Sequence, residues 1–352
     1  MAIKYLAGKR LQGTAAERTA LNIASPPTTS WKELGRTTLS GTSDTIEVTS
    51  LEAKDNMMIL SHNIVTSDHN MTWSTGTGSY SGSYADRRSE NGGSDSTTIN
   101  RTTNGIISDA HTKNMFTVGN LLNTDGQEKL VNWSVVGHNA DGAGNAPDRF
   151  ETVGKFTGTS QINQIKLNNS SSINNEIGSE LVVLGYDNDE ADSGTNFWQE
   201  LASVELSATA NEIDSGTFTA KKYLMVELQV IADGSISGSD LQFNGDTGSN
   251  YARRYRSGGD SEATATSEAT LGGGTGGDRG YNTWFIVNVA DKEKLAIGEA
   301  TWASNGAGNA PSRRELTGKW ANTSAQITSI KIKENASGGW ASGSTLKVWG
   351  SD

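Results

Sequence analysis

The sequence predicts an all-β protein built from two tandem jelly-roll-like β-sandwich domains that arose by internal duplication, and three observations lead to this prediction. The 352 residues include 41 glycines but only four prolines and no cysteine, a composition typical of many turns and short strands. A 15-residue block beginning GAGNAP occurs twice, at 142–156 and at 306–320. Two short apolar runs, 57–60 and 223–226, match strands buried on both faces.

The duplicated block begins as a loop and continues as a strand. Glycine tolerates positive φ, and the residue before a proline is pushed into extended backbone. After the proline, charged and apolar residues alternate, as in a half-buried strand of an antiparallel sheet. This pattern fits either a polar binding surface or a solvated ladder of ion pairs. The charged positions retained in both copies, at one offset of 164, are Arg149, Glu151 and Lys155 in the first and Arg313, Glu315 and Lys319 in the second.

Matching segments divide the chain into a short N-terminal arm (1–30), a first repeat (31–187), an acidic linker (188–196) and a second repeat (197–352). A capping box at 14–17 predicts a short helix in the arm. The arm is interpreted either as an anchor to a larger assembly or as a frayed terminus.

Within each repeat the elements follow one order. Each begins at a tryptophan, Trp31 or Trp198, and continues through its apolar run to a closing pair of alternating strands. The offset between equivalent residues drifts between 164 and 167, which indicates loops of different length joining a constant set of strands. The closing strands are predicted within 161–167 and 178–185 of the first repeat and within 326–332 and 343–350 of the second.

A tyrosine followed by arginines and a Gly-Gly turn is the strongest sequence candidate for a specific surface. The residues are Tyr84, Arg87 and Arg88 in the first repeat and Tyr251, Arg253 and Arg254 in the second. Tyrosine and arginine dominate interface hot spots, and arginine forks onto carboxylates. The motif is compatible with a subunit interface, with a ligand site, or with arginines that pin their own loop.

Charge and composition exclude several function classes. A net charge of −11 disfavours nucleic acid as a partner, because such surfaces are basic. No apolar stretch is long enough to span a membrane, and the charged start does not match a signal peptide. Synthesis in a cytoplasm is therefore expected. The four histidines all lie in the first repeat without the spacing of a zinc site or a catalytic triad, which disfavours a histidine-based enzyme. No carboxylate pair of a glycosidase stands out either, so we expect a protein that is not an enzyme, with a glycan depolymerase as the minor alternative.

Two further sets of residues could bind a ligand. Asp187, Asp189 and Asp192 cluster carboxylates near the linker and are either a calcium site or a solvated acidic segment. No other cofactor is expected. Three tryptophans of the second repeat either stack on sugar rings or anchor the core. They are Trp284, Trp302 and Trp340.

Four segments carry a resemblance to a known group of proteins: residues 1–18, 31–36, 243–254 and 318–324. Together they resemble virion structural proteins of marine tailed viruses that infect bacteria or archaea. The resemblance extends over nearly the whole chain and brings no catalytic motif with it. It implies a virion component, such as a capsid decoration, a capsid-associated protein or a tail or fibre component, that assembles as a symmetric homo-oligomer, with a trimer favoured, and contacts other virion proteins. The alternative is a lectin-like receptor-binding module that recognises host-surface glycans.

Overall fold

In the computed structural model, the described residues are 31–67, 69–75, 84–111, 113–169, 173–187, 196–233, 238–274, 276–334 and 338–352. Every regular element among them is a β-strand, and all strand pairs within the sheets are antiparallel. The all-β prediction is therefore confirmed. No helix that could span a membrane is found in this part of the chain. The predicted N-terminal arm and most of the acidic linker lie outside the described residues.

The first sandwich packs an eight-stranded sheet against a four-stranded one. The large sheet has the order β1-β12-β3-β8-β9-β10-β5-β6 and the small sheet the order β2-β11-β4-β7. The strands are β1 (Lys32–Thr38), β2 (Thr45–Val48), β3 (Asn56–Asn63), β4 (His69–Ser74), β5 (Tyr84–Glu90), β6 (Ser96–Arg101), β7 (Gly105–His111), β8 (Met115–Leu122), β9 (Lys129–Gly137), β10 (Asp148–Phe156), β11 (Ile165–Asn169) and β12 (Glu180–Tyr186).

The second sandwich repeats this plan. Its strands are β13 (Gln199–Glu205), β14 (Glu212–Thr217), β15 (Tyr223–Asp233), β16 (Asp240–Phe243), β17 (Tyr251–Ser257), β18 (Ala263–Glu268), β19 (Leu271–Gly272), β20 (Arg279–Val287), β21 (Lys294–Ala303), β22 (Ser312–Trp320), β23 (Ser329–Lys333), β24 (Gly339–Trp340) and β25 (Thr345–Ser351). The large sheet runs β13-β25-β15-β20-β21-β22-β17-β18 and the small sheet β14-β23-β16-β19. The short β24, which pairs with β15, is the one addition among the described strands.

The two orders correspond strand for strand, so the duplication covers both sheets of each sandwich. The predicted apolar runs form β3 and β15, which lie inside the large sheets. Burial of β3 is nearly complete on both faces, as the sequence predicts. The interior between large and small sheet holds one apolar cluster per sandwich.

A third apolar cluster lies between the two sandwiches. It forms because the outer face of each large sheet, the face turned away from its own small sheet, packs against the outer face of the other. From the first sandwich come Met58, Leu60, Phe116, Val118, Val136, Val182 and Leu184, and from the second Phe197, Trp198, Tyr223, Val287, Leu295 and Ile297.

Candidate assembly interface

Each sandwich contacts the other through the outer face of its large sheet, but the two contacts lie at opposite ends of these equivalent faces. On β10 the outer face is buried at its start, where Arg149 is 3% exposed, and open further on, where Val153 is 52% exposed. On the equivalent β22 the order is reversed, because the Arg313 side chain is 65% exposed and that of Lys319 is fully buried. Equivalent strands β9 and β21 show the same reversal. The contact is therefore head to tail and not two-fold symmetric.

The GAGNAP loop has the same conformation in both copies. Gly142 and Gly306 have φ of 86° and 92°, a left-handed conformation that favours glycine. Three residues on, the Asn145 side chain donates to the carbonyl of Asp141 at 2.8 Å, and Asn309 donates to that of Asn305 at 2.6 Å. The loop is thus preformed by its own sequence.

In the first copy, this loop docks on the second sandwich through backbone groups. The Lys319 ammonium donates to the carbonyl of Ala140 at 2.8 Å. The amide of Gly142 donates to the Glu293 carboxylate at 2.6 Å, and the amide of Ser267 donates to the carbonyl of Ala143 at 2.7 Å. Lys319 and Glu293 also form a buried ion pair of 3.1 Å.

The strand after the loop adds a charged cluster. Arg149 crosses to the second sandwich and pairs with Glu262 at 2.6 Å and, more distantly, with Glu315 at 3.7 Å. It also pairs with Glu151 on its own strand. Burial acts to lower the pKa of Arg149, but the bond to Glu262 and the surrounding carboxylates more than offset it and raise the pKa. Burial raises the pKa of Glu151, and Arg149 opposes that shift.

Arg254 reaches back in the other direction. Its Nε donates to the carbonyl of Pro147 at 2.7 Å, and its guanidinium lies 3.6 Å from Asp148 and 3.9 Å from Glu262. Of the six residues in the tyrosine and arginine motif, Arg254 is the one in this contact, where it joins two sandwiches of one chain.

A second charged cluster secures the interface at the Glu180 carboxylate. This group accepts from the Tyr223 hydroxyl at 3.0 Å and pairs with Lys222 and Arg36, each at 3.0 Å. Burial acts to raise the pKa of Glu180, but the bonds from Thr38 and Lys222 outweigh it and lower the pKa.

His138, Asp141 and Glu293 place one potential metal-ligating atom each within 4.8 Å of the others. Lys319 already brings an ammonium to 3.1 Å from Glu293. Since this ammonium balances the carboxylate, the group fits a salt-bridged joint better than a cation site. Among the predicted calcium ligands, Asp187 accepts from the amide of Asp55 at 2.6 Å and pairs with Lys54 at 3.3 Å. Asp189 and Asp192 lie outside the described residues.

The two tyrosines of the motif lie in the sandwich interiors and not on the specific surface for which the motif is a candidate. Tyr84 and Tyr251 are 3% and 0% exposed, because they begin strands whose first side chains point into the sandwich interiors. The Tyr84 hydroxyl accepts from the amide of Thr75 at 3.1 Å, and that of Tyr251 accepts from the amide of Phe243 at 2.9 Å.

The remaining arginines of the motif bind within their own sandwiches. Arg88 pairs with Asp109 at 2.9 Å, and Arg253 lies 5.6 Å from the centre of the Tyr255 ring. Arg87 is exposed and pairs with Asp95 at 3.5 Å.

For two of the three candidate tryptophans, burial favours the alternative of a core anchor over that of sugar stacking. Trp284 and Trp340 are 1% and 0% exposed and belong to the core of the second sandwich, so their rings cannot meet a ligand. Trp302 is half-buried, with the Arg314 guanidinium 5.8 Å from its ring centre. The exposed aromatic residue nearby is Tyr281, which the sequence did not single out.

Comparison with known proteins identifies no family. No protein-family model and no curated protein matches the sequence. Among solved structures, domains LG4-5 of the mouse laminin alpha1 chain are similar at 10% identity over 92% of each chain, with a TM-score of 0.18. Human GIVD cytosolic phospholipase A2 is similar at 8% identity over 76% of this chain and 31% of that one, with a TM-score of 0.12. A Pseudomonas aeruginosa FadL homologue gives 8% identity, 84% and 90% coverage and a TM-score of 0.07. Likenesses this low carry no conclusion about function.

Proposed function

We propose that this chain is a non-enzymatic structural protein of a virus particle, a surface-exposed decoration, capsid-associated protein or tail or fibre component that assembles as a symmetric homo-oligomer. One observation supports the proposal above others. The most strongly repeated block of the sequence, GAGNAP with its following strand, serves in its first copy to dock one sandwich on another. The duplication has therefore retained a loop and a strand that, in the first copy, join two sandwiches.

The chemistry of the contact supports the same role. Its charged groups, among them Arg149, Glu293 and Lys319, are buried in mutual ion pairs, an arrangement that fixes the geometry of a joint. The resemblance of the sequence to virion proteins of tailed viruses favours a virus particle as the assembly to which the chain belongs.

The proposal is tested by asking whether the chain is found in virus particles. Antibodies raised against the purified chain should label intact virus particles in electron micrographs, and the chain should band with those particles in a density gradient. Particles washed at high salt provide the control for adventitious adsorption. A chain that remains in the soluble fraction of the lysate and is absent from the washed particles would contradict the proposal.

The second candidate is a carbohydrate-binding module, and Tyr281 is the observation that favours it. This ring is 47% exposed on the outer face of the second sandwich, and its hydroxyl donates to Glu227 at 2.8 Å. It borders an open groove of about 380 Å³. An aromatic ring beside amide, hydroxyl and guanidinium groups is suited to a sugar. The groove is also lined by Gln229, Arg279, Thr301 and Trp302.

A glycan-array screen with the full chain tests this candidate. Binding to a host-surface glycan that is lost in Tyr281→Ala, but kept in Ile99→Ala at another exposed apolar position, would support the lectin. No binding in the screen, or binding that Tyr281→Ala leaves unchanged, would remove the groove from consideration.

A further inference from the structure

The docking loop of the second sandwich has the same structure as the first, but within the described part of the chain no sandwich packs against it. Residues 304–311 are all exposed, and Arg313, the equivalent of Arg149, has a side chain that is 65% exposed. This loop projects from one end of the outer face of the second sandwich. In the first sandwich, the equivalent end makes the contact between the sandwiches. The chain therefore presents an unused copy of its own docking loop.

The surface that would receive such a loop is likewise present on the first sandwich. Glu128 and Lys155 are equivalent to Glu293 and Lys319 and form the same ion pair, at 2.9 Å in place of 3.1 Å. Both Glu128 and Lys155 are about half exposed.

The pair Arg87 and Asp95 is equivalent to Arg254 and Glu262, as the strand registers of β5 with β6 and of β17 with β18 show. The Asp95 side chain is 52% exposed. A backbone detail agrees with this correspondence. Asn100 has a φ of 56° and its equivalent, Ser267, a φ of 55°. Ser267 uses that conformation to bind the docking loop through its amide, and Asn100 is exposed.

We infer that the second docking loop of one chain binds the first sandwich of another copy of this chain, in the head-to-tail geometry that joins the sandwiches within one chain. Lys155 then donates to the carbonyl of Ser304, and the amide of Gly306 donates to Glu128. The amide of Asn100 donates to Ala307, and Arg313 pairs with Asp95. Each of these contacts repeats one that exists inside the chain.

The apolar residues at the two free ends also match each other, because an exposed aromatic ring on the second sandwich has a corresponding groove on the first. Phe116 packs at the internal interface with its ring 6.2 Å from that of Tyr223, and Tyr281 is its equivalent on the free end of the second sandwich. The free end of the first sandwich carries an open groove of about 400 Å³ lined by Trp31, Leu122 and Leu130. Those three residues are equivalent to Trp198, Val287 and Leu295 of the internal interface. Tyr281 of the next copy would lie in this groove.

The contact between chains is weaker than the one within a chain because its surfaces are more polar. On the first sandwich, asparagines 56, 120 and 132 stand where the second has Tyr223, Phe285 and Ile297. On the second sandwich, Glu227, Thr283 and Thr301 stand where the first has Leu60, Val118 and Val136. Association is therefore reversible and depends on protein concentration.

A head-to-tail contact uses two different surfaces, so each added chain leaves one of each free. Such contacts close into a ring if the rotation per chain allows it and otherwise grow as a filament. The inference deepens the assembly role proposed above and rests on it, yet the two fail separately. Its test measures contact between purified chains, whereas the test of the virion role measures location in a particle.

A charge exchange tests the predicted pair of Arg313 with Asp95. Sedimentation velocity of the full-length chain over a hundredfold range of concentration at low salt should show self-association. Arg313→Asp and Asp95→Arg should each weaken it about tenfold or more, because like charges then face each other. The double variant, and an equimolar mixture of the two single variants, should restore it.

Both positions are exposed, so circular dichroism and thermal unfolding should be unchanged. Lys331→Glu, which breaks an ion pair with Glu212 on the small sheet, is the control away from the predicted contact and should associate as the natural chain does. A chain that stays monomeric at every concentration would overturn the inference. So would association that Arg313→Asp and Asp95→Arg leave unchanged, or that the double variant fails to restore.

Discussion

Trp133 on β9 lies directly over Gly119 on β8, so close that a Cβ at position 119 would be 2.3 Å from its ring. The second sandwich contains the same pair with the strands exchanged. Trp284 on β20 lies over Gly298 on β21, where a Cβ would be 2.5 Å from the ring. At this place in each core, a tryptophan therefore fills the same space, although different strands carry it.

Gly119→Ala is expected to destabilise the protein by about 1–3 kcal/mol, since the buried ring has no space to move aside. Urea denaturation measures this, with Gly41→Ala as control, because nothing lies within 4 Å of a Cβ at that position. Exchanging the pair, Gly119→Trp with Trp133→Gly, should recover part of the loss by reproducing the second sandwich. An unaltered midpoint for Gly119→Ala would show that the ring is not confined.

Lys319→Ala should destabilise the chain by about 3–5 kcal/mol. The change leaves the Glu293 carboxylate buried, without the ammonium that lies 3.1 Å away. Lys155→Ala, the equivalent change in an ion pair of similar length whose side chains are 43% and 48% exposed, should cost less than about 1 kcal/mol. Both values come from urea denaturation at neutral pH. Equal losses in the two variants would contradict the assignment of Lys319 to a desolvated joint.

The stability of the protein should fall as the pH is lowered from about 6.5 toward 4, in part through His62. Burial lowers the pKa of His62 to about 3, and the positive charges of Lys222 and Lys292 act in the same direction, while the carboxylates of Glu180 and Asp291 oppose it. An unfolded histidine has a pKa near 6.5. Between these values the unfolded chain binds a proton that the folded chain does not, which costs up to about 1.4 kcal/mol per pH unit.

Thermal unfolding across this pH range, compared with His62→Leu, isolates that contribution. The variant should lose stability less steeply on acidification, by the equivalent of one proton. His138, whose pKa is also lowered mainly by burial, titrates in both proteins and cancels in the comparison. Parallel curves for the two proteins would show that His62 takes up its proton in the folded protein as readily as in the unfolded chain.

Asn123 and Asn288 hold the same clasp in the two sandwiches. Asn123 accepts from the amide of Ile162 at 2.7 Å and donates to the carbonyls of Lys54 and Ile162. Asn288 does the same at Ile327. Replacing either by alanine should cost about 1–3 kcal/mol, because buried backbone groups lose their partners. Asn120→Ala, at an exposed position, is the control. A loss for Asn123→Ala no larger than that for Asn120→Ala would argue against the clasp.

Much of the fold follows from the sequence alone. Alternation in the block after GAGNAP predicts β10 and β22, and the apolar runs predict β3 and β15. The roles of Arg149 and Lys319 could not be predicted in the same way. Both belong to positions that alternate identically in the two copies, and their burial depends on which end of each outer face is covered. That is a property of the contact between sandwiches, not of either strand.

One signal in the sequence does point to the contact. Outer-face positions differ systematically between the copies, with Asn132 against Ile297 at one end of the face and Leu60 against Glu227 at the other. A strand whose exposed face gains apolar residues in one copy, and loses them in the other, is typical of surfaces that are covered in only one of them. The burial of Tyr84 and Tyr251 could not be predicted for a related reason, since composition does not reveal which face of a strand points inward.

The internal contact of Glu293 and Lys319 with the first docking loop joins parts of a single polypeptide. Its effective concentration is set by the chain itself, so dilution leaves it intact. The equivalent contact between chains would follow mass action and separate on dilution. The protein would then break into whole two-sandwich units before any sandwich parted from its neighbour, and this unit is the smallest piece that an assembly of such chains could exchange.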